Sequence, residues 1–379
     1  MMMLHDSWKS SLSALGLWGV CLGNLLVARG ADPGHDVSSI EQARHPVVLV
    51  RQGRFLLVGN RRSGTISLID GAEHAVLSER VVATRIADMA SLGDTRDLLV
   101  VDDAQNRLIR VTVRQDGVTV HPLAGLPRGA TKLVLTPDSQ NVFISCRWEH
   151  CVVALKLDST YERVRRRRVI EIPFVPRELV LLSDHRTLLV ADAFGSRLAV
   201  VDTRRGRVDG VHRIDGHNIR GLAVSSDGKR LHVAHQRMAA RARADYEELH
   251  WGRLISNAVE VFDLDQLLAS SPTTATRGWM DAQGGIGDAT GDPGGVIIGP
   301  DGFTATTFSG MGEVAVRYGS YVKRLRVQRR PEAMAYDQQH LYVANRFDDS
   351  VSVIDLSGGE VRRTIVLGPR AKLDAVGRG

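Results

Sequence analysis

The feature that most constrains this chain is a sequence unit that recurs about every 44 residues. In each copy, two apolar β-branched segments flank a short polar turn, a pattern that predicts an antiparallel hairpin. The clearest copies are LYVAN and VSVID within residues 341–355, LLVGN and ISLID within 56–70, and LLVAD and LAVVD within 188–202. In all three, ten residues separate the ends of the two segments. A repeat of this length indicates a fold built from identical supersecondary units.

Weaker copies complete the series. They occupy residues 98–112, 142–156, 231–263 and 303–317, and the third of these carries about 18 inserted residues. The first segments end at positions that step by 42, 44, 46 and 43 residues, from 60 to 235, and seven units result. Each unit adds an upstream apolar strand and an outer strand, so that it contains four short strands. The pattern therefore predicts an all-β chain, a seven-bladed β-propeller of four-stranded antiparallel blades.

The repeat also defines the domain organisation. A length of 379 residues by itself suggests two or three domains, but seven consecutive blades predict one closed domain over residues 40–368. An insertion in blade five spans residues 237–256, and a tail follows at 369–379. The predicted inner strand of blade one and the predicted outer strand of blade seven each belong to their own unit, which favours ring closure without strand exchange.

Residues 1–30 have the pattern of an export signal. Lys9 precedes the mostly apolar residues 12–27, and a small-x-small motif follows at 28–31. The apolar part is short for a membrane span. We therefore expect an exported protein, periplasmic or extracellular, with no stable membrane span after cleavage of the signal; the alternative is an uncleaved membrane anchor.

The repeats resemble the YVTN family of β-propellers, whose signature strand here reads YVAN at residues 342–345. In its finer pattern the chain resembles one subgroup of that family, the propeller half of exported di-haem cytochrome c peroxidase-like proteins, through His235-Gln236, His250-Trp251-Gly252 and Asn257. That resemblance implies association with a c-type cytochrome. The chain contains no Cys-x-x-Cys-His motif for covalent haem attachment. The resemblance therefore implies that any haem belongs to a partner and that this chain carries no cofactor.

Arginine supplies the main functional pattern. Six of the 49 basic residues are lysine, and the net charge is +6. Arginines recur in the loops that lead into the innermost strand of six blades, which predicts a ring of cations at one mouth of the central channel. They are Arg44, Arg85, Arg128, Arg177, Arg220 and Arg330. Guanidinium groups suit carboxylates and phosphates. The alternative is local pairing of each arginine with a carboxylate of a neighbouring blade, such as Asp88, Glu178 or Glu332.

His217, His235, His250 and Trp251 are expected on the same face. Histidines beside a channel can ligate a metal or transfer protons, whereas the alternative is that they hold loops in place by hydrogen bonds. Their spacing matches no compact ligand motif, so we assign neither a metal site nor a catalytic residue.

Cys146 and Cys151 flank a four-residue turn at the ends of two adjacent strands. In an oxidising compartment this placement favours a disulfide, and a free or weakly metal-binding pair is the alternative.

Three functions are compatible with these patterns. The first is an exported, non-enzymatic binding or scaffold propeller whose arginine-lined face takes a protein partner or a small anionic ligand. The second is a redox accessory to a c-type cytochrome, and the third is a hydrolase similar to propeller lactonases, with a carboxylate–histidine–arginine site in the channel. Aromatic residues make up 5% of the chain, which argues against a nucleic-acid surface built on base stacking.

Overall fold

The described part of the chain forms seven sheets, each with four antiparallel strands in chain order, and a short fifth strand adds in parallel to the fourth sheet. The structure is a computed structural model that describes residues 42–93, 95–239, 243, 245–247, 254–270, 275–281, 283 and 290–369. The innermost strands of successive sheets pack against one another around a central axis, and the last packs against the first. The prediction of a seven-bladed β-propeller with four-stranded blades is confirmed.

The strands of the first four blades follow the repeat of the sequence. From the innermost outwards, they are β1 Pro46–Gln52, β2 Phe55–Asn60, β3 Thr65–Asp70 and β4 Ala75–Val81; β5 Ile86–Ser91, β6 Asp97–Asp102, β7 Arg107–Val113 and β8 Val118–Gly125; β9 Ala130–Leu135, β10 Asn141–Cys146, β11 Cys151–Leu157 and β12 Val164–Glu171; and β13 Pro176–Leu181, β14 Thr187–Asp192, β15 Arg197–Asp202 and β16 Arg207–Ile214.

The last three blades include the least regular one. Their strands are β17 His217–Val224, β18 Arg230–Met238, β19 Ile255–Asp263 and β21 Trp279–Met280; β22 Pro293–Ile298, β23 Thr304–Phe308, β24 Glu313–Tyr318 and β25 Tyr321–Arg326; and β26 Pro331–Tyr336, β27 His340–Asn345, β28 Ser350–Asp355 and β29 Glu360–Val366. The short strand β20 Ala275–Thr276 pairs in parallel with β16 of blade four.

Blade five departs from the predicted four-strand pattern after β19. A short helix, α1 (Leu264–Ala269), follows, and its N-cap Asp263 accepts a hydrogen bond from the backbone N–H of Gln266 at 2.9 Å. Leu264 and Leu267 face the core because they are three positions apart. The outer strand β21 is two residues long. Strands β18 and β19 also extend into both ends of the predicted insertion, of which residues 240–242, 244 and 248–253 lie outside the described residues, as do the predicted signal and tail residues 370–379.

The ring closes without strand exchange, as the sequence favoured. Blade one contains β1 to β4 and blade seven contains β26 to β29, each in chain order. An apolar cluster joins the two blades, with Leu56 of β2 and Tyr342 of β27 fully buried in it. Asp349, in the turn before β28, accepts hydrogen bonds from the backbone N–H groups of Arg44 and His45 at 3.0 and 2.8 Å. Side-chain packing and these bonds therefore replace a shared strand.

Four histidines outside the channel make stability sensitive to mild acid. Burial lowers the pKa of His45, His74, His212 and His232, so folding favours their neutral form. In the unfolded chain these groups take up protons near a pKa of about 6.5. Above pH ~7 the histidines are neutral in both states and stability is at its full value. As the pH falls through about 6.5, the unfolded chain takes up protons that the folded chain does not, and stability is lost.

We expect the midpoint of thermal unfolding to fall between pH 7 and 5, before the carboxylates titrate. Replacement of His232 by Gln should flatten this decline, since the side chain is 9% exposed. The exposed His217→Gln variant serves as a control and should keep the wild-type profile. Melting curves at half-unit pH steps give the measurement, and identical profiles for all three proteins would contradict the assignment.

Candidate functional site

A cavity of about 570 Å³ occupies the channel where the innermost strands begin. Apolar side chains, among them Leu49, Leu222 and Met334, form part of its wall. Eight basic and three acidic side chains line it among the described residues: Arg61, Arg85, Lys132, Arg147, Arg177, Arg220, Arg330 and Arg346, with Asp103, Glu178 and Glu332. This excess of cations makes the channel a focus of positive potential.

Local backbone irregularity directs these side chains into the channel. In all seven blades the pairing of the innermost strand with its neighbour shifts register near the start of that strand. A shift of this kind bends the strand and re-aims its side chains. Arg177, Arg220 and Glu332 lie within or beside these shifts, and all three face the cavity.

Four of the six predicted arginines line the cavity, at two different positions of the repeat. Arg85 and Arg330 directly precede the first residue of an inner strand, whereas Arg177 and Arg220 lie inside one. Arg330 occupies the left-handed region, with φ of 54°. This conformation is unfavourable for a residue with a Cβ atom.

Arg44 and Arg128 do not line the cavity, which corrects their predicted position. Each lies two residues before its inner strand, whereas Arg85 and Arg330 lie one residue before theirs. This offset of one residue points the side chains in another direction. Arg44 is 1% exposed between blades one and seven, where its guanidinium binds Glu79 at 3.0 Å. Arg128 is exposed to solvent and pairs with Glu149 at 2.8 Å.

Three further arginines, which were not among those predicted, line the cavity, and all three occupy the same position of the repeat. Arg61, Arg147 and Arg346 each come directly after the last residue of the second strand of a blade. Asp103 occupies the same position in blade two. Because the repeat had already aligned the ends of these strands, reading one residue further in every blade would have found all three arginines.

Carboxylates neutralise part of this charge. Asp103 lies between Arg61 and Arg85, at 2.6 Å from a guanidinium nitrogen of each. Glu332 binds Arg346 at 2.9 Å. Burial alone would raise the pKa of Glu332, but the charges of the surrounding arginines, Arg346 first, hold it below its ordinary value.

Further pairs join residues of blades four to seven. Asp292 pairs with Arg220 and lies 3.5 Å from Arg330. Arg177 donates a hydrogen bond to the side-chain oxygen of Asn218 at 3.2 Å and lies 3.7 Å from Glu178. The alternative of local pairing thus accounts for most of the cavity arginines.

Arg147 is the exception. Its guanidinium forms no ion pair with a described residue, and its buried Nε atom has no hydrogen-bond partner there. Burial, with the nearby charge of Arg177, lowers the pKa of Arg147 to about 10, so the group stays protonated at neutral pH. Lys132 lies in the same part of the cavity wall, and the charge of the adjacent Asp88 raises its pKa. An uncompensated cation in a partly desolvated cavity is costly unless a ligand neutralises it.

Three blades of the described chain carry an exposed aromatic side chain in the loop after their second strand. Trp148, Phe194 and Phe347 each follow the second strand of a blade by two residues, and each is more than half exposed. Trp148 also lines the cavity beside Arg147. Aromatic groups next to arginines are typical of recognition surfaces, because they add apolar contact to charge recognition.

The predicted histidines do not meet in the channel. His217 is exposed at the start of β17, and His250 and Trp251 lie outside the described residues. His235 is fully buried inside blade five, where its Nε2 lies 3.7 Å from Glu260. No histidine lines the cavity in the part of the chain that the structure describes, so the carboxylate–histidine–arginine site expected of a propeller lactonase is not assembled there.

Cys146 and Cys151 occupy directly opposed positions on β10 and β11. Both are buried free thiols in the structure, so the predicted disulfide is not formed. Opposed residues of antiparallel strands hold their Cβ atoms about 4.5–5.5 Å apart, which exceeds the usual disulfide spacing. A hydrogen bond between the thiols, together with burial, raises the pKa of Cys146.

Comparisons with known proteins support the fold. No protein-family model matches the chain, and no curated protein matches it. A structure of hydrazine synthase from Kuenenia stuttgartiensis is similar with a TM-score of 0.70 at 18% identity, covering 86% of this chain and 99% of the other.

Two other solved structures are more distant. Virginiamycin B lyase from Staphylococcus aureus, a catalytically inactive variant with quinupristin, gives a TM-score of 0.55 at 12% identity, covering 82% of this chain and 95% of the other. The dihydro-heme d1 dehydrogenase NirN gives 0.55 at 14% identity, covering 89% of this chain and 69% of the other. At identities this low, the structural likeness shows a shared fold alone. In the described residues, no helix is long and apolar enough to cross a membrane.

Proposed function

We propose that this chain is an exported binding protein whose cationic channel holds a small organic anion at Arg147. The observation that carries the proposal is the missing counter-charge of Arg147, in a cavity where carboxylates bind most of the other arginines. A ligand carboxylate or phosphate would supply it.

The chemistry of the cavity favours a ligand with more than one negative charge. Arg147, Arg177 and Lys132 lie in neighbouring blades and all face the same space. Arginine forms paired hydrogen bonds with carboxylate and phosphate groups, while the lysine ammonium acts as a point charge. A volume of about 570 Å³ is within the range of small-molecule sites, and it accommodates a di- or tricarboxylate.

We expect citrate to bind the purified protein and Arg147→Gln to weaken this binding by roughly 10-fold or more, since a hydrogen-bonded charge contributes ~1.5–3 kcal/mol. Isothermal titration calorimetry at low ionic strength measures the affinity of each protein for citrate, and inorganic phosphate serves as a second probe. Affinity should fall as salt is added, because both partners are charged.

Arg128→Gln is the matched control, because this arginine is exposed and paired outside the cavity. It should bind citrate with wild-type affinity. Equal affinity of the Arg147→Gln and wild-type proteins, or no binding of either anion by the wild type, would overturn the proposal.

A further inference from the structure

The outer edge of blade three carries a second concentration of positive charge, far along the sheet from the channel. Strand β12 reads VRRRRVIE and is the last strand of its blade. Its inner side pairs with β11, and no further strand pairs with its outer side among the described residues. The β12 edge, defined here as Arg165, Arg166, Arg167 and Arg168, therefore combines unpaired backbone groups with four cations.

From Arg166 to Glu171, strand β12 pairs regularly with β11, and this stretch lacks the features that protect the other long outer strands. Strand β8 is equally long but contains Pro122, which lacks an amide donor. Strand β16 is also eight residues long, and β20 covers part of it in parallel pairing. The outer strands β4, β21, β25 and β29 are shorter. Blade four shows that an outer edge of this propeller accepts an additional strand.

A run of four consecutive arginines without an ion pair to a described residue also distinguishes β12. On other outer strands, Arg324 of β25 pairs with Glu313 and Arg362 of β29 pairs with Asp355. None of the four arginines of the β12 edge forms an ion pair with a described residue. Arg168 donates to the backbone oxygen of Arg204 at 3.2 Å, which leaves its charge uncompensated.

A groove of about 550 Å³ lies beside this edge, between blades three and four. Its basic wall consists of Lys156, Arg166, Arg168 and Arg204. Its one carboxylate among the lining residues, Asp138, accepts hydrogen bonds from Thr136 and from the backbone of Gln140. Side chains alternate across a regular strand, so Arg166 and Arg168 share the groove side and Arg167 faces the other way, while Arg165 lies at a register shift of β12.

The free backbone edge and the positive charge of β12 together indicate which kind of molecule binds there. A second copy of this chain, paired edge to edge, would place arginines opposite arginines, which is unfavourable. Single-stranded nucleic acid adds base stacking on exposed aromatic side chains to the attraction of its phosphates, and Phe143, the phenylalanine of the groove lining, is only 3% exposed. An extended protein segment uses both the free backbone edge and the charge.

We propose that the β12 edge binds an extended acidic segment of another protein, which adds as a fifth strand to blade three. Main-chain hydrogen bonds to β12 supply affinity that does not depend on sequence, as in other cases of strand addition. Carboxylates at alternate positions of the segment pair with Arg166 and Arg168 in the groove. The proposal does not depend on anion binding in the channel.

The test uses a fluorescein-labelled ten-residue peptide with alternating glutamate and valine, titrated with the full chain. We expect saturable binding that weakens with salt, and we expect the double variant Arg166→Glu and Arg168→Glu to lower affinity by roughly 10-fold or more. Arg326→Glu is the matched control, since Arg326 is an exposed outer-strand arginine of blade six without an ion pair to a described residue. It should bind as the wild type does, and so should Arg147→Gln.

A second peptide of the same sequence and charge, N-methylated at every residue so that neither edge can pair with a strand, separates strand addition from adsorption by charge. It should lose binding, and hydrogen exchange should show new protection of β12 amides with the unmethylated peptide alone. Equal binding of the two peptides, absence of β12 protection, or tighter binding of single-stranded DNA than of the peptide would each overturn the proposal.

Discussion

Glu79→Ala is expected to destabilise the propeller by about 3–5 kcal/mol, the typical cost of removing one partner of a buried ion pair. Glu79 accepts hydrogen bonds from the Arg44 guanidinium at 3.0 and 3.1 Å. Both side chains are almost inaccessible to solvent. Without the carboxylate, the charge of Arg44 stays buried with one remaining side-chain bond, to the carbonyl of Pro369 at 3.1 Å.

The position of this pair makes the effect one of ring closure. Arg44 lies on the segment that joins blade one to blade seven, and its backbone is bound by Asp349 of blade seven. Urea unfolding monitored by tryptophan fluorescence gives the free energy of unfolding, provided that refolding is reversible. Where it is not, the unfolding rate in concentrated urea should rise in the variant.

Glu149→Ala is the appropriate comparison, since it removes an arginine–glutamate pair that is open to solvent. Exposed pairs contribute up to ~1 kcal/mol, so this variant should unfold close to the wild-type midpoint. Similar losses in both variants would show that the Arg44–Glu79 pair has no special role in closing the ring.

Gly64→Ala is the second substitution with a large expected effect, a loss of about 3 kcal/mol or more. Gly64, in the turn between β2 and β3, has φ of +68°, a region that costs a residue with a Cβ atom ~1–2 kcal/mol. A Cβ atom there would also meet the backbone carbonyl of Ala83, which cannot move aside as a side chain can. Such overpacking costs a further ~1–3 kcal/mol.

Gly53→Ala separates these two contributions. Gly53 has a similar φ of +55°, but a Cβ atom at this position would have no neighbour within 4 Å. We therefore expect its loss to be limited to the backbone cost, and thermal unfolding of the two variants gives the difference. A Gly64→Ala protein as stable as Gly53→Ala would exclude a steric role for the approach to Ala83.

The sequence predicted the hairpins of the fold because each is a local event. Segments such as residues 341–345 and 351–355 carry their own strand pattern and turn, and they became β27 and β28 nearly residue for residue. The helix α1 was missed because a four-strand pattern was assumed for every blade. An N-cap residue, Asp263, and two leucines three positions apart, Leu264 and Leu267, are the sequence features that indicate a helix here.

The site was only partly predictable, because side-chain direction changes with each residue of an irregular loop. Arg85 and Arg44 belong to equivalent loops, yet one residue of offset sends the first into the channel and the second into the core. The ion pairs of Asp103 join residues from adjacent blades. Such pairs depend on the stacking of blades, which no single repeat encodes.

By itself, the sequence determined the number of blades, their four-stranded pattern and the recurrence of arginine near one mouth, since all three follow from periodic, local patterns. Tertiary structure alone decided which arginines share the cavity, which carboxylates neutralise them, and that Arg147 and the β12 edge keep uncompensated charge within the described chain. The physical reason is that electrostatic pairing depends on distances of a few ångströms between different blades, and those distances exist only after the ring has closed.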